Sequence, residues 1–255
     1  MTKAMSLDMK LRSLCLTGMM AQIEPMAKRA VNEGWTFIRY VEYLCDIELA
    51  ERTRRKTERL LKQSGLPEGK TLESVNQEIL PVKVRRQLPT LLEGDWVERA
   101  ENILAFGLPG RGKTHLACAI ARELLLKRDY RVHFTTTFHL VQQLLMAKRD
   151  LKISALLDKL QRFEIIVLDD IGYVQQSREE MEVLFTFLAE RYERKSLIIT
   201  SNLVFNEWDK IFKDPMTTAA AIDRLVHHAV ILELDGESYR AEHAKGQKQK
   251  GGAPK

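Results

Sequence analysis

The segment from Gly107 to Thr114 has the residue types and the spacing of a phosphate-binding loop. It fits G-x-x-x-x-G-K-[ST], in which glycines let successive backbone N–H groups point at the phosphates of a nucleoside triphosphate. The Lys113 ammonium would reach the β- and γ-phosphates, and the Thr114 hydroxyl would ligate Mg²⁺. We therefore expect ATP and Mg²⁺ as cofactors. The residues expected to bind ATP are Gly107, Leu108, Pro109, Gly110, Arg111, Gly112, Lys113 and Thr114.

The residues on either side of this loop are those of a strand and a helix. Residues 102–106 are typical of a buried strand, and residues 114–127 carry apolar side chains at helical spacing. The positive end of such a helix adds to the attraction for phosphate. A glycine turn that binds nothing is the alternative, and this setting argues against it.

Two aspartates follow an aliphatic run in the second motif, Ile165-Ile166-Val167-Leu168-Asp169-Asp170. A carboxylate at the end of a buried strand can hold the Mg²⁺ of a nucleotide, and we assign this role to Asp169. Asp170 would orient the attacking water or accept its proton. Because aspartate is one methylene shorter than glutamate, we expect slow hydrolysis.

The third motif, Leu197-Ile198-Ile199-Thr200-Ser201-Asn202, is another aliphatic strand with a polar end. Asn202 would position the attacking water or contact the γ-phosphate. The alternative is a strand that ends in a helix-capping Ser/Asn turn.

The alternation of aliphatic strands and amphipathic helices predicts an α/β fold with a parallel sheet covered on both faces. Ligands of such sheets bind beyond the carboxyl ends of the strands, where all three motifs fall. The predicted strands are residues 102–106, 131–135, 164–169, 196–200 and 229–234, and residues 177–194 form a helix.

Four regions are expected along the chain. Residues 1–66 form a small helical N-terminal domain, and residues 67–100 form a linker with short helices, interrupted by prolines and Gly94. Residues 101–240 are the α/β core. Residues 241–255 are a basic tail rich in Gly, Lys and Gln, which we expect to be disordered.

The positive charge lies outside the core. Of the net charge of +5, residues 1–66 carry +4 and residues 241–255 carry +3, whereas residues 101–240 carry −1. This asymmetry indicates a polyanionic partner, most simply nucleic acid, although basic flanks can also serve solubility alone. One helix face combines Arg52, Arg55, Arg59 and Lys62, which could follow a phosphate backbone or form a solvated surface partly balanced by Glu51 and Glu58.

Other classes of protein are disfavoured. No apolar run reaches the length of a membrane span, the N-terminus lacks a signal-peptide profile, and we expect a cytoplasmic protein without membrane contact. The three scattered cysteines suggest neither a disulfide framework nor a zinc site. Adjacent His227 and His228 would point to different sides of a helix and serve packing or the surface.

Together, the phosphate loop, Asp169-Asp170 and the Thr200-Ser201-Asn202 strand end resemble the AAA+ ATPases of the initiator/loader branch. Within that branch the chain resembles the IstB transposition helpers of bacterial insertion sequences. Three stretches carry this resemblance: Gly112-Lys113-Thr114-His115-Leu116-Ala117, Leu168-Asp169-Asp170-Ile171-Gly172 and Gly236-Glu237-Ser238-Tyr239-Arg240. It covers nearly the whole chain and is loosest in the N-terminal part. Helicase loaders of the DnaC type share the core motifs.

The resemblance implies an ATPase that forms ATP-dependent homo-oligomers on duplex DNA, distorts the DNA, and recruits and stimulates a partner transposase. It also implies an arginine that reaches the γ-phosphate bound by a neighbouring subunit, and Arg224 occupies the matching position. A structural salt bridge is the alternative role of Arg224. The DNA-facing insertion of the family corresponds to residues 138–162, where Lys148, Arg149 and Lys152 are further DNA-contact candidates.

One departure from the wider AAA+ pattern concerns the lid. The chain after the fifth strand is too short for the usual four-helix lid, so we expect a reduced or absent lid and closure of the site by a neighbouring subunit. Arg240 is the only nearby candidate for a second sensor arginine.

Other functions compete with the transposition helper. A DnaC-type helicase loader would bind a hexameric helicase and prefer single-stranded DNA. A kinase using the same loop would need an acceptor pocket and no arginine from a second subunit. A protein that shapes DNA under ATP control without meaningful hydrolysis is a further possibility.

Overall fold

The computed structural model describes residues 6–172, 177–203, 207–208 and 215–234. The chain divides into two compact units, residues 1–59 and residues 60–255. The domain bounds expected from the sequence stay a prediction. Within the described ranges, no helix combines the length and the apolar character that crossing a membrane requires.

Helices make up the described part of the first unit. The first helix ends at Ser13, and Cys15 adopts a left-handed φ of 57° before the next helix begins. The helices are α1 (Leu7–Ser13), α2 (Thr17–Asn32) and α3 (Phe37–Ser64), the last of which contains the boundary between the units.

The buried carboxylate of Glu48, on α3, caps the start of α2. Helix α2 has no side-chain cap of its own. Glu48 Oε2 accepts hydrogen bonds from the backbone N–H groups of Gly18, at 2.7 Å, and Met19, at 3.1 Å. A side chain at position 18 would displace the capping carboxylate, since a Cβ there would lie 2.9 Å from Glu48 Oε2. The cap satisfies two of the N–H groups that every helix start leaves unpaired.

Five parallel strands form one sheet in the described part of the second unit, in the order β2-β3-β4-β1-β5. The predicted α/β fold with a parallel five-stranded sheet is confirmed. The strands are β1 (Asn102–Phe106), β2 (Val132–Thr136), β3 (Ile165–Ile171), β4 (Ser196–Ser201) and β5 (Ala229–Glu233). The helices are α4 (Val82–Glu93), α5 (Asp95–Glu98), α6 (Lys113–Arg128), α7 (Thr137–Arg149), α8 (Ile153–Leu160), α9 (Arg178–Arg191) and α10 (Pro215–Val226).

Each face of the sheet carries its own apolar core, because successive strand residues point to opposite faces. In β1, Ile103 and Ala105 join a core with α4 and α6, whereas Leu104 and Phe106 join a core with α7 and α9. Both faces are therefore covered, and the edge formed by the carboxyl ends of the strands is left for the site.

The segment predicted as a linker, residues 67–100, contains the expected short helices but packs as part of the second unit. Val84, Leu88 and Leu91 of α4 are buried in the same core as α6. The Trp96 ring is also buried there, and its Nε1–H donates to the Leu91 carbonyl at 2.9 Å.

Adjacent His227 and His228 lie in the turn between α10 and β5, with ring centroids 4.2 Å apart. The prediction that they point to different sides of a helix is wrong, because α10 ends at Val226. Arg240 and the predicted tail lie outside the described residues.

Candidate nucleotide-binding site

The glycine loop joins the carboxyl end of β1 to the amino end of α6. Three of its glycines have positive φ angles, 149° at Gly107, 85° at Gly110 and 79° at Gly112, a region that side chains disfavour. Space also requires a glycine at position 107, because a Cβ there would lie 2.5 Å from the Leu234 carbonyl oxygen. The chain after β5 therefore packs directly against the start of the loop.

The Lys113 side chain is buried against this loop. Its Nζ donates to the carbonyl oxygens of Gly107, at 2.6 Å, and Leu108, at 3.0 Å. Thr114 follows in the first turn of α6 and is half-buried. The loop thus holds a cation and a hydroxyl beside its backbone, which is the donor set that a bound triphosphate requires.

Asp169 lies at the same edge of the sheet, near the end of β3, and is buried. Its Oδ1 accepts a hydrogen bond of 2.7 Å from the hydroxyl of Thr200, on the neighbouring strand β4. The Thr137 hydroxyl donates to the Asp169 backbone carbonyl at 3.1 Å. The carboxylate is therefore fixed by one specific donor.

The Thr200 hydroxyl also fixes Asp170. It accepts the Asp170 backbone N–H at 2.9 Å, and Asp170 adopts a left-handed φ of 57°. The pairing of β3 with β4 shifts register between Leu168 and Ile171, so the two aspartates lie at an irregularity of the strand. Thr200 is not among the predicted site residues, and its only signal in the sequence is its place in the third motif.

Asn202 follows β4 directly and is half-buried. Strand β4 lies between β1, which leads to the phosphate loop, and β3, which carries Asp169. The preceding Ser201 hydroxyl bonds to the carbonyls of Ile171, at 3.0 Å, and Leu203, at 2.8 Å. Asn202 therefore leaves the sheet between the two other motifs.

A further histidine lies next to the phosphate loop. His115 follows Thr114, and its Nε2 lies 2.7 Å from the hydroxyl oxygen of Ser74. Burial lowers the pKa of His115, and the charge of Lys70 adds to this effect. Since Arg122 also donates to the Pro67 carbonyl at 2.8 Å, residues 67–74 lie along α6.

Arg224 lies at the opposite edge of the sheet. It lies near the end of α10. The backbone carbonyl of the next residue, Leu225, accepts a hydrogen bond of 3.3 Å from the side-chain amide of Asn102, which is the first residue of β1 and so marks the amino edge of the sheet. The Arg224 guanidinium carbon is 4.6 Å from the ring centroid of Phe185, and Nη1 is buried without a hydrogen-bond partner among the described residues. The length of β1, about 13 Å for four steps of 3.3 Å, separates this edge from the phosphate loop.

Several of the predicted DNA-contact residues are already paired. Arg52 Nε donates to Glu48 Oε1 at 2.9 Å, and Arg55 Nε donates to Glu51 Oε1 at 2.7 Å. In the second unit, the ion pairs are Lys148 with Glu182, at 3.0 Å, and Arg149 with Asp150, at 3.9 Å. Arg59, Lys62 and Lys152 are exposed. A DNA role for all seven stays a prediction.

The sequence model of the family described as IstB-like ATP-binding protein matches residues 9–247. The chain belongs to this family. The predicted resemblance is thereby confirmed, and ATP as the ligand agrees with the description of the family.

Relatives in this family come from insertion sequences. The chain is 44% identical over 229 residues to an insertion sequence ATP-binding protein of Sinorhizobium fredii, covering 89% of this chain and 76% of that protein. It is 36% identical over 226 residues to the ATP-binding protein of insertion sequence IS21 from Pseudomonas aeruginosa, covering 88% and 82%.

Solved structures confirm the AAA+ fold. DnaI superposes with a TM-score of 0.56 at 22% identity, covering 68% of this chain and 96% of that chain. AMPPCP-bound DnaA from Aquifex aeolicus superposes with a TM-score of 0.55 at 18% identity, covering 75% and 57%. At these identities the likeness concerns the fold alone.

Proposed function

We propose that this protein is an ATPase that assembles as a homo-oligomer on duplex DNA, remodels it, and recruits and stimulates the transposase of an insertion sequence. Family membership and the insertion sequence relatives support the setting. The observation that carries the ATPase assignment is the Thr200 hydroxyl, which links Asp169 and Asp170 at the edge of the sheet that bears the phosphate loop. Because the proposed function is carried out on DNA, we also propose a cytoplasmic location for the protein.

The residues at this edge fit Mg·ATP. Magnesium prefers oxygen ligands and keeps several of its waters, and the Thr114 hydroxyl and the Asp169 carboxylate are such ligands. When bound, Mg²⁺ neutralises charge that develops on the phosphates. The loop from Gly107 to Thr114 contributes backbone N–H groups, and Lys113 contributes a positive charge next to them.

Asp170 and Asn202 are the candidates for handling the attacking water. Thr200 holds the Asp170 backbone, so the position from which the Asp170 side chain extends is fixed. From there the Asp170 carboxylate would orient the water and accept its proton. Asn202 leaves β4 between the other two motifs, where its amide would hold the same water or contact the γ-phosphate. The short Asp170 side chain is the reason to expect slow turnover without DNA and partner.

Complete hydrolysis would need two subunits. Arg224 and the phosphate loop of one chain lie at opposite edges of the sheet. A guanidinium in this position can serve the γ-phosphate of a neighbouring subunit, an interaction that accelerates phosphoryl transfer by about 10³–10⁵ in other nucleotide hydrolases. For this contact the guanidinium would turn away from the Phe185 ring, because Nη1, which has no partner among the described residues, is buried in the present position.

Duplex DNA would be bound by the basic side chains of both units. Arg52, Arg55 and Arg59 on α3, with Lys62, would contact phosphates, as would Lys148, Arg149 and Lys152 around the turn between α7 and α8. The exposed ion pairs of Arg55, Lys148 and Arg149 contribute little, so phosphates can replace them, whereas the pair of Arg52 with the buried Glu48 holds that side chain more firmly.

The test is electron microscopy of the purified protein with long duplex or single-stranded DNA, each with ATP, ADP or a non-hydrolysable analogue. We expect ordered oligomers on duplex DNA with ATP or the analogue, and none with the Lys113→Ala variant. Particles that remain single under saturating Mg·ATP and duplex DNA would contradict the proposal. Assembly on single strands alone would favour the helicase-loader function instead.

A further inference from the structure

Two turns at the amino edge of the sheet bring a carboxylate and two imidazoles together. Glu193 lies in the turn between α9 and β4, and His227 and His228 lie in the turn between α10 and β5. One possible ligand atom from each side chain lies within 4.8 Å of the other two. We propose that Glu193, His227 and His228 form a binding site for a divalent transition-metal ion such as Zn²⁺.

The spacing of the three side chains is close to what such an ion requires. Zn²⁺ binds histidine nitrogens and carboxylate oxygens at about 2.0–2.2 Å in tetrahedral geometry, so ligand atoms on one ion lie about 3.3–3.6 Å apart. All three side chains are exposed, and small rotations would therefore suffice to close the remaining gap. The imidazole rings already lie with centroids 4.2 Å apart.

The backbone holds both histidines in this turn. The His227 N–H donates to the Asp223 carbonyl at 3.0 Å, and the His228 carbonyl accepts from the Asn102 N–H at 2.8 Å. Glu193 adopts a left-handed φ of 55°, an uncommon conformation for a residue with a side chain. The positions from which the ligands extend are therefore set by the fold.

Tyr192 provides the outer partner that metal-binding histidines usually have. Its hydroxyl oxygen lies 3.4 Å from His227 Nδ1, which leaves His227 Nε2 for an ion. Tyr192 thus helps to fix the orientation of the His227 ring.

The charged groups around the two turns are of both signs. Glu101 is paired with Arg99 at 2.7 Å, and Arg194 and Lys195 follow Glu193 directly. Within the described part of the chain, Glu193, His227 and His228 are the only group of three or more His, Cys, Asp or Glu side chains that meets this spacing.

Two imidazoles and one carboxylate form a ligand set that Zn²⁺ uses with water in the fourth position. Such an ion would tie the turn after α9 to the turn after α10, three residues from Arg224. The site is independent of nucleotide, so its occupancy can be measured without ATP or DNA.

The experiment is calorimetric titration of chelator-treated protein with ZnCl₂ at neutral pH, without nucleotide. We expect one Zn²⁺ per chain, loss of this binding in the His227→Ala/His228→Ala double variant, and about 10- to 100-fold weaker binding in Tyr192→Phe. Binding should weaken in acid, because the ligating imidazoles must be neutral. His139→Ala, which removes an exposed histidine on α7, is the matched control and should bind like the original protein.

Circular dichroism separates loss of ligands from loss of fold. If the double variant unfolds, Glu193→Gln replaces one ligand by a residue of the same shape and should still weaken Zn²⁺ binding. Unchanged Zn²⁺ affinity in folded Glu193→Gln and in the double variant, or equal loss in His139→Ala, would overturn the proposal. Absence of any stoichiometric binding to the original protein would do the same.

Discussion

Replacing Thr200 by valine tests whether one hydroxyl organises the acidic part of the site. The hydroxyl is buried, donates to the Asp169 carboxylate at 2.7 Å and accepts the Asp170 N–H at 2.9 Å. A hydrogen bond to a charged group contributes about 1.5–3 kcal/mol, and a buried N–H left unpaired costs about 1–3 kcal/mol. Since two coupled bonds do not add fully, we expect a loss of about 2–4 kcal/mol in the free energy of unfolding.

The same change should alter the use of Mg²⁺. Without its donor, the Asp169 carboxylate is free to rotate away from the position in which it would hold the ion. A loss of about 1.4 kcal/mol in that interaction corresponds to a tenfold higher Mg²⁺ concentration for half-maximal ATP hydrolysis. The assays are urea unfolding and a Mg²⁺ titration of steady-state ATPase activity at saturating ATP.

Two control variants separate positioning from general destabilisation. Thr200→Ser keeps the hydroxyl and should retain the original Mg²⁺ requirement. Thr135→Val removes a buried hydroxyl on β2 that donates only to the Thr136 carbonyl, at 3.2 Å, and should lower stability without changing the Mg²⁺ dependence. A Thr200→Val enzyme with the original Mg²⁺ requirement would refute the assigned role of Thr200.

Four other variants test the remaining parts of the proposal. Lys113→Ala should abolish ATP binding in a fluorescent-nucleotide titration, because the charge held against Gly107–Leu108 is lost; retained affinity would contradict the loop assignment. Arg224→Ala should bind ATP but not hydrolyse it. If the arginine acts between subunits, mixing this variant with Lys113→Ala subunits should restore part of the activity. An Arg224→Ala turnover equal to that of the original protein would exclude such a role. Arg55→Ala/Arg59→Ala should reduce the slope of log affinity for duplex DNA against log salt by about 2, and an unchanged slope would leave these residues as solvated surface. Glu48→Gln should destabilise the first unit at pH 7. Although burial opposes it, hydrogen bonds from Arg52, Met19 and Gly18 lower the Glu48 pKa below 4.5, so the stabilisation is present above that pH and is lost as the pH falls through the lowered pKa. In urea unfolding, the stability difference between the original protein and the variant should therefore be present at pH 7 and decrease progressively below about pH 4.

Strands β1, β3 and β4 could be predicted from the sequence because each is a largely aliphatic run that is buried on both faces. In β3, Ile165 to Leu168 are fully buried, and the change to Asp169 marks the end of the core. The glycine loop was predictable for a related reason, since its φ angles exclude other residues. Few residue types are tolerated in a strand buried on both faces or at a positive φ angle. The residues of these segments therefore indicate their structure.

The function of Thr200 could not be predicted in the same way. Thr, Ser and Asn at a strand end are equally typical of a capping turn. Only the pairing of β3 with β4, with its shift between Leu168 and Ile171, brings the hydroxyl to Asp169. The burial of Glu48, which pairs with Arg52 four residues further along the same helix, depends likewise on where α2 begins, and the spacing of charged residues does not reveal this.

The prolines and the glycine of residues 67–100 agree only in part with the helix ends of this segment. Pro81 and Gly94 do bound α4, but Pro89 lies inside that helix. Burial of Val84 and Leu88 outweighs the local preference of proline for a helix end. Pro81 and Gly94 thus mark the ends of this helix correctly, but neither residue indicates that the helix packs in the core.

The packing of α4 determines how the ATPase part can be isolated. A recombinant fragment starting at residue 101 would strip α4 and α5 from α6 and uncover the surface that Leu88, Leu91 and Trp96 protect. Such a fragment would aggregate. Truncation at residue 60 keeps this cover and is the appropriate start for crystallisation or nucleotide-binding work on the sheet-containing unit alone.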